Sequence, residues 1–156
     1  MAMLDPSSFP TKSAAEEYFM PTMRELARTY QAFSACSEAH VRQLGLTSAQ
    51  FDVVATLGNT PGMSMGEIGE KTLITKGTLT GVIDRLEHKQ LVQRGVPSDN
   101  RRSVIVSLTA KGEALFEQVF PAHVAYLKER FTQLDPSEIQ LLGVLLKRLR
   151  QVFKKI

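Results

Sequence analysis

The chain has 156 residues, with 43% hydrophobic and 22% charged residues and a formal net charge of +3. These values are ordinary for one globular domain with its own core, and the charge alone does not identify a nucleic-acid partner. No apolar run could span a membrane, no signal-peptide pattern is present and a single cysteine cannot hold structural zinc, so we expect a cytoplasmic protein without membrane or metal partners.

The N-terminal segment, residues 1–44, is predicted to be helical. Ser13 and Glu16 have the spacing of a capping box, and Pro21 suits the first turn of a second, longer helix. Apolar residues keep helical spacing along this second helix, and Gly45 ends it. Cys36 lies in mid-helix without adjacent cations, so we predict a buried structural cysteine rather than a reactive thiol.

Two further capping boxes predict the next two short helices. Thr47 with Gln50 and Ser64 with Glu67 each place a hydroxyl three residues before a side chain that can reach back to the cap. The Asn-Thr-Pro-Gly cluster at 59–62 between these helices is typical of a loop.

The segment 75–89 is predicted to be an amphipathic helix with an unusual polar face. Its apolar stripe is Leu79, Val82, Ile83 and Leu86. The opposite face is centred on Gly77, Gly81, Asp84 and His88. A glycine inside a helix costs about 1 kcal/mol relative to alanine, so two of them on one face favour close approach to a large partner such as the major groove of DNA. The alternative is an ordinary solvent-exposed face.

A β-hairpin is predicted after this helix, with strands over 91–96 and 103–108. The tip, Pro97-Ser98-Asp99-Asn100-Arg101-Arg102, has turn chemistry. Arg101 and Arg102 could enter a minor groove or hold phosphates, with Asp99 orienting an arginine and Arg94 contacting a phosphate. The alternative is a solvated turn. Helix, turn, helix and hairpin in this order indicate a winged helix-turn-helix. Residues 75–102 hold six Lys or Arg and three Asp or Glu, a surplus equal to that of the whole chain.

Two helices are predicted in the segment 111–156. Thr109 caps the first, which runs to about Gln133 with Pro121 as a kink, and Asp135-Pro136-Ser137-Glu138 begins the second. The second helix has more apolar surface than one buried face needs, which favours a partner, and a second copy is the simplest one. The alternative is that these leucines cover the core of the same monomer.

Four separated motifs resemble the MarR family of bacterial winged-helix transcriptional regulators. They are LTSAQFDVVATL (46–57), ITKGTLTGVIDRLE (74–87), Asp99-x-Arg101 and SLTAKG (107–112). The chain departs from the family at Gln90, where glycine usually follows the recognition helix. A left-handed residue without glycine would be strained, so we expect this helix to end in a different way.

The resemblance also implies dimerisation through the N- and C-terminal helices and a cleft for a phenolic or aromatic carboxylate effector. Residues on the first and second long helices could line such a cleft, although each of them could equally be an ordinary core residue. The candidates are Tyr30, Phe33, Ser37, His40 and Phe51.

The sequence therefore predicts a mainly α fold with a small β-hairpin wing, forming one intertwined domain. Residues 1–44 would be dimerisation helices, 45–110 the DNA-binding lobe, and 111–156 the connecting and C-terminal dimerisation helices. We predict a homodimeric repressor of a pseudo-palindromic operator, without cofactor or enzymatic activity, since no catalytic constellation can be named. The alternative is a winged-helix module for protein–protein contact. The predicted DNA-binding residues are Thr75, Lys76, Gly77, Thr78, Thr80, Gly81, Arg94, Asp99, Arg101 and Arg102.

Overall fold

The computed structural model describes residues 5, 10–72, 74–96 and 103–154. Within these ranges it has seven helices and three short strands. Their bounds are α1 (Thr11–Ala15), α2 (Met20–Gln43), α3 (Ser48–Leu57), β1 (Met63–Ser64), α4 (Met65–Thr72), α5 (Lys76–His88), β2 (Val92–Gly95), β3 (Ile105–Leu108), α6 (Ala110–Phe131) and α7 (Pro136–Phe153). A mainly α fold with a small β wing is therefore confirmed. The chain divides into two units, Met1–Ala39 and His40–Ile156.

The first unit contains α1 and most of α2. The capping box predicted at Ser13 is wrong, because α1 begins at Thr11 after Pro10 and Ser13 lies inside the helix. Proline fixes φ and lacks an amide hydrogen, which makes Pro10 a workable start. Pro21 lies in the first turn of α2 as predicted. Cys36 is half-buried on α2, less enclosed than expected.

The end of α2 belongs to the second unit and confirms the predicted glycine stop. Gly45 has φ +83° and donates its N–H to the carbonyl of Arg42 at 3.0 Å. The N–H of Leu46 donates to the carbonyl of Val41 at 3.2 Å. These two bonds form a Schellman motif, which satisfies carbonyls that the last helical turn leaves without partners.

The core of the second unit lies between α3, α4, α5 and the sheet. Both capping boxes at its edge are confirmed: Gln50 N–H donates to Thr47 Oγ1 at 3.1 Å, and Ser64 N–H to Glu67 Oε2 at 2.9 Å. The largest side chains with almost no exposure are Leu57, Ile68, Leu79, Ile83 and Leu86. Burial of each contributes about 1.5–3 kcal/mol, so this cluster fixes the position of α5.

The sheet is antiparallel with the strand order β1-β3-β2. Val106 pairs with Met63 on one side and with Arg94 on the other. The strand β1 was not predicted, because two residues carry no alternation pattern. Strand β3 begins at Ile105 and not at Ser103, which leaves Val104 exposed while Val106 and Leu108 are buried.

The last two helices begin as the sequence predicts. Gly112 N–H donates to Thr109 Oγ1 at 3.0 Å, and Asp135 N–H donates to Glu138 Oε2 at 2.8 Å. Helix α6 continues through Pro121. No side chain of α7 is buried. Among the described residues, none of the helices combines the length and hydropathy that crossing a membrane requires.

Candidate nucleic-acid interface

Helix α5 has one buried face and one open face, as its sequence predicts. Leu79, Val82, Ile83 and Leu86 are buried. On the opposite face the predicted contact residues Thr75, Lys76, Gly77, Thr78 and Thr80 are exposed, and Gly81 is half-buried. A Cβ added to Gly77 or Gly81 would meet nothing within 4 Å. The described chain therefore gives no packing reason for either glycine.

The first turn of α5 borders a concave surface. Thr75 starts the helix without a side-chain capping bond, and its hydroxyl donates to Thr78 Oγ1 at 3.2 Å. The Thr80 hydroxyl bonds the carbonyl of Lys76 at 3.3 Å. A pocket of about 300 Å³ is lined by Met65, Gly66, Lys76, Leu79 and Thr80. Small polar groups, one cation and the positive end of a helix dipole thus share one surface, which suits a polyanion.

The C-terminal end of α5 corrects the expectation at Gln90. Gln90 adopts the left-handed conformation after all, with φ +61°. Its N–H donates to the carbonyl of Glu87 and the N–H of Leu91 to that of Leu86, both at 2.9 Å. These bonds form the same Schellman motif that Gly45 makes. The motif and its neighbours hold a glutamine in a region that costs about 1–2 kcal/mol for a residue with a Cβ.

The first turn of α6 fastens this end of α5. The Thr109 hydroxyl donates to the carbonyl of Gln90 at 2.6 Å, and the Thr109 N–H to that of Leu91 at 3.1 Å. The Lys111 ammonium donates to the carbonyl of Lys89 at 3.0 Å. A Cβ at Gly112 would come within 2.0 Å of the Leu91 oxygen, so only glycine allows this approach. The SLTAKG motif therefore links α6 directly to α5.

Arg94 has partners that the sequence did not reveal. Its Nη2 donates to Asp84 Oδ1 at 2.6 Å and its Nη1 to Glu87 Oε1 at 3.1 Å. Both carboxylates belong to α5, whereas Arg94 belongs to β2. The hydrogen bond to Asp84 is the main reason that the pKa of Arg94 is raised. The predicted phosphate contact of Arg94 stays a prediction, and the structure gives its guanidinium two other ligands.

The predicted wing residues Asp99, Arg101 and Arg102 lie outside the described residues. Strands β2 and β3 lead toward them and away from them, and the two strands pair from Val92 with Leu108 to Gly95 with Ile105. The register of the hairpin is thus defined up to its last described pair.

A second cluster of side chains surrounds two of the predicted effector residues. His40 Nδ1 and His123 Nδ1 are 2.9 Å apart, and Phe51 makes an edge contact with His123. The ring of His40 stacks on that of Tyr126 at 4.0 Å, and the guanidinium of Arg130 lies 3.8 Å above Tyr126. Burial lowers the pKa of His123, and a positive charge on His40 lowers it further. The other effector candidates, Tyr30, Phe33 and Ser37, belong to α2 in the first unit.

His123 and Tyr126 were missed by sequence reasoning. His123 lies seven residues after Phe116 and four after Val119, which are also buried. This spacing places it on the inward face of α6 and could have been recognised. Its pairing with His40, 83 positions away, has no local signal. No group of three or more metal-ligating side chains occurs in the described ranges.

Comparisons with known proteins agree with this geometry. The MarR family model matches residues 46–104. The HTH-type transcriptional regulator MhqR of Bacillus subtilis (strain 168) is 31% identical over 123 residues, covering 79% of this chain and 85% of that protein.

Two solved structures extend this comparison to regulated DNA binding and to a DNA complex. BpsR from Bordetella bronchiseptica, whose DNA binding is regulated by 6-hydroxynicotinic acid, is 29% identical with a TM-score of 0.74, covering 87% of this chain and 94% of that chain. A mutant MarR from Escherichia coli complexed with operator DNA is 26% identical with a TM-score of 0.73, covering 86% and 99%.

Proposed function

The chain belongs to the MarR family of winged-helix transcriptional regulators, and from this premise we propose that it represses transcription by binding a pseudo-palindromic operator as a homodimer. The family and the relative named above are regulators, so the prediction that the chain is not an enzyme is confirmed. A repressor must reach chromosomal DNA, so the proposal includes a cytoplasmic location.

The open face of α5 is the observation that carries the proposal. Two glycines at which an added Cβ would meet nothing within 4 Å, flanked by exposed threonines and Lys76, form a surface that a duplex can approach closely. The amides of the first turn and the helix dipole favour nearby phosphates. Within this proposal, Thr75, Lys76, Gly77, Thr78, Thr80 and Gly81 meet the major groove. Arg101 and Arg102, with Asp99 as a brace, act at the minor groove.

A titration of duplex DNA against salt concentration tests this function. We expect the affinity for DNA to depend steeply on salt concentration. From a mixture of random duplexes, the protein should select one pseudo-palindromic sequence. Arg101→Ala should weaken binding to all sequences and reduce the salt slope, because its contact is electrostatic. Thr80→Ala should instead change base preference more than non-specific affinity.

Three results would count against these roles. Salt-independent or absent binding would reject DNA as the partner. Unchanged affinity of the Arg101→Ala protein at several salt concentrations would remove the wing contact. Identical selected sequences for the wild type and Thr80→Ala would remove the base contact. Transcription of a reporter with and without the protein decides whether the direction is repression.

Dimerisation through the terminal helices is supported by the exposed apolar surface of α7. Leu141 is 59% exposed and Leu145 is 49% exposed, and five more apolar residues of this helix are exposed as well. A contiguous apolar surface of this kind indicates an interface. A symmetric dimer would present two α5 helices about one DNA turn apart, as a pseudo-palindrome requires.

Relief by a small aromatic effector is the remaining part of the proposal. The predicted lining is Tyr30, Phe33, Ser37, His40 and Phe51. The rings around His40 offer stacking surfaces, and imidazole nitrogens can donate to a carboxylate or phenolate. Such a ligand acts only if it binds the DNA-free form more tightly. Titration of the operator complex with hydroxylated aromatic acids tests this, and His40→Ala should weaken the response without changing affinity for DNA.

The competing function is a winged-helix module that contacts another protein through the glycine face. It predicts weak binding to DNA with little sequence preference and retention of the chain by a protein partner. The salt titration of random and selected duplexes distinguishes the two functions.

A further inference from the structure

Arg94 joins the wing to the recognition helix through a forked ion pair. Asp84 and Glu87 lie three positions apart on α5, so both point toward the same side of the helix. The two terminal nitrogens of Arg94 bond one carboxylate each, at 2.6 and 3.1 Å. The planar guanidinium suits this arrangement, whereas a lysine ammonium would act as a single point charge.

The two carboxylates place negative charge on the helix that is proposed to face DNA. Asp84 belongs to the same exposed face as Gly77 and Gly81, and its side chain is 59% exposed. An unpaired carboxylate there would repel phosphates. With Arg94 in place the trio carries a net charge of −1, and without it the charge is −2.

We propose that Arg94 is a positioning residue for operator binding, which holds β2 against α5 and screens Asp84 and Glu87 from the DNA, without contacting a phosphate itself. The proposal rests on the DNA-facing role of α5 proposed above. It replaces the phosphate contact expected from the sequence, because each terminal nitrogen of the guanidinium already donates to a carboxylate of α5. Since Arg94 belongs to β2, the same ion pair also fixes this strand relative to α5.

A charge-matched pair of variants tests this role. Arg94→Gln leaves the trio at −2, and the double variant Asp84→Asn with Arg94→Gln restores −1. We expect operator affinity to fall about tenfold in the single variant. In the double variant it should recover more than about fivefold from that value. The salt slope of the double variant should equal that of the wild type, since no counterion-releasing contact has been lost.

A direct phosphate contact predicts a different result. Each neutralised phosphate contributes about 0.9 to the slope of log affinity against log salt. A slope reduced by about one per protomer in the double variant would therefore overturn the proposal. Unchanged affinity of the Arg94→Gln protein would overturn it as well.

Arg94→Lys provides a second measurement that holds even if Arg94→Gln fails to fold. A lysine retains the charge and can still bind a phosphate, but it cannot bridge two carboxylates in one plane. We expect reduced affinity with an unchanged salt slope. Wild-type affinity for this variant would instead indicate a simple cation contact and refute the positioning role.

Lys76→Gln separates failure of this inference from failure of the proposed function. Lys76 is exposed in the first turn of α5, where the proposed function expects a phosphate contact. Its replacement should reduce the salt slope by about one per protomer. If Lys76→Gln and Gly81→Ala both leave DNA binding unchanged, then α5 does not face DNA and the proposed function itself is wrong.

Discussion

Helices α5 and α7 both carry apolar residues at helical spacing, but only one of them is covered by its own chain. The apolar face of α5 packs against α3, α4 and the sheet. Seven apolar residues of α7, from Leu141 to Phe153, are exposed, and no residue of this helix is buried. Periodicity therefore predicts that a helix has an apolar face, and the surrounding chain decides whether that face is a core or an interface.

The uncovered surface of α5 is its polar face, which carries two glycines. A helix whose apolar face is already packed does not need glycine on its exposed face, yet α5 has two glycines there. Glycine lowers helix stability, so two glycines on one exposed face favour a partner outside the chain. In α7 the exposed apolar face favours a partner, and in α5 the glycine face does.

The largest expected effect comes from placing a charge on the apolar face of α7. Leu145→Asp would bury an unpaired carboxylate twice in a symmetric interface, at a cost of several kcal/mol per copy. We expect the dimer to dissociate at micromolar concentration and operator binding to fall at least a hundredfold. Light scattering after gel filtration and a binding titration measure the two effects.

Gln140→Asp is the matched control for this substitution. It adds the same charge to the same helix, at a polar position near the N-terminal end, where a carboxylate is favourable. It should leave mass and affinity unchanged. A Leu145→Asp protein that remains dimeric and binds its operator normally would show that α7 is not an interface.

The second effect separates stability from function on α5. Gly81→Ala should increase the free energy of unfolding by about 1 kcal/mol, because the added methyl meets nothing and alanine favours the helix. The same methyl would stand at the closest approach to DNA, so we expect operator affinity to fall tenfold or more. Urea unfolding and a binding titration provide both values.

Gly143→Ala controls for the helix effect alone. Gly143 lies within α7, and a Cβ there also meets nothing within 4 Å. This variant should gain similar stability, and it is a control for the unfolding measurement only, because α7 is the proposed dimer interface. If Gly81→Ala gains stability and binds DNA as tightly as the wild type, the glycine face is not the contact surface.

The part of this structure that the sequence predicts is the part determined by neighbouring residues. The capping boxes at Thr47 and Ser64 depend on hydrogen bonds within one helical turn, and the apolar stripe of α5 follows from residue spacing within that helix. Strand β1 escaped prediction because its two residues pair with β3, about forty positions away. The Arg94 ion pairs and the His40–His123 contact likewise depend on packing between elements.

Gln90 shows how a local rule can be outweighed by its surroundings. The sequence argues against a left-handed residue here, but Thr109 donates to the carbonyl of Gln90 and Lys111 to that of Lys89, and Leu91 is buried in the core. These contacts hold Gln90 in its strained conformation. The disagreement between sequence and structure therefore identifies a position where stability can be recovered.

The third effect is the release of that strain. Gln90→Gly should raise the free energy of unfolding by about 1 kcal/mol, less the entropy that glycine loses on folding. Lys89→Gly is the control, because Lys89 has φ −76° and gains nothing from glycine. Urea unfolding compares them. Equal changes in both variants would mean that the conformation of Gln90 is not strained.

The smallest effect concerns pH and the paired histidines. Burial, and then the charge of His40, lower the pKa of His123 below its usual value of 6.5. The unfolded chain therefore binds a proton at a higher pH than the folded chain does. The contribution of His123 to stability is complete above pH 6.5 and is lost progressively as the pH falls from there toward the lowered pKa.

The geometry gives the same direction, because the bond between the two Nδ1 atoms needs one donor and one acceptor. Protonation of both rings removes the acceptor and places two charges side by side, near the cation of Arg130. We expect the melting temperature to decrease between pH 7 and pH 5.5, and His123→Phe to reduce this decrease. His88→Gln, which removes an exposed imidazole outside this cluster, is the matched control. A wild-type melting temperature that rises on acidification would mean that the histidine pair is more stable with the extra proton, and the assignment of His123 as a buried neutral imidazole would then be wrong.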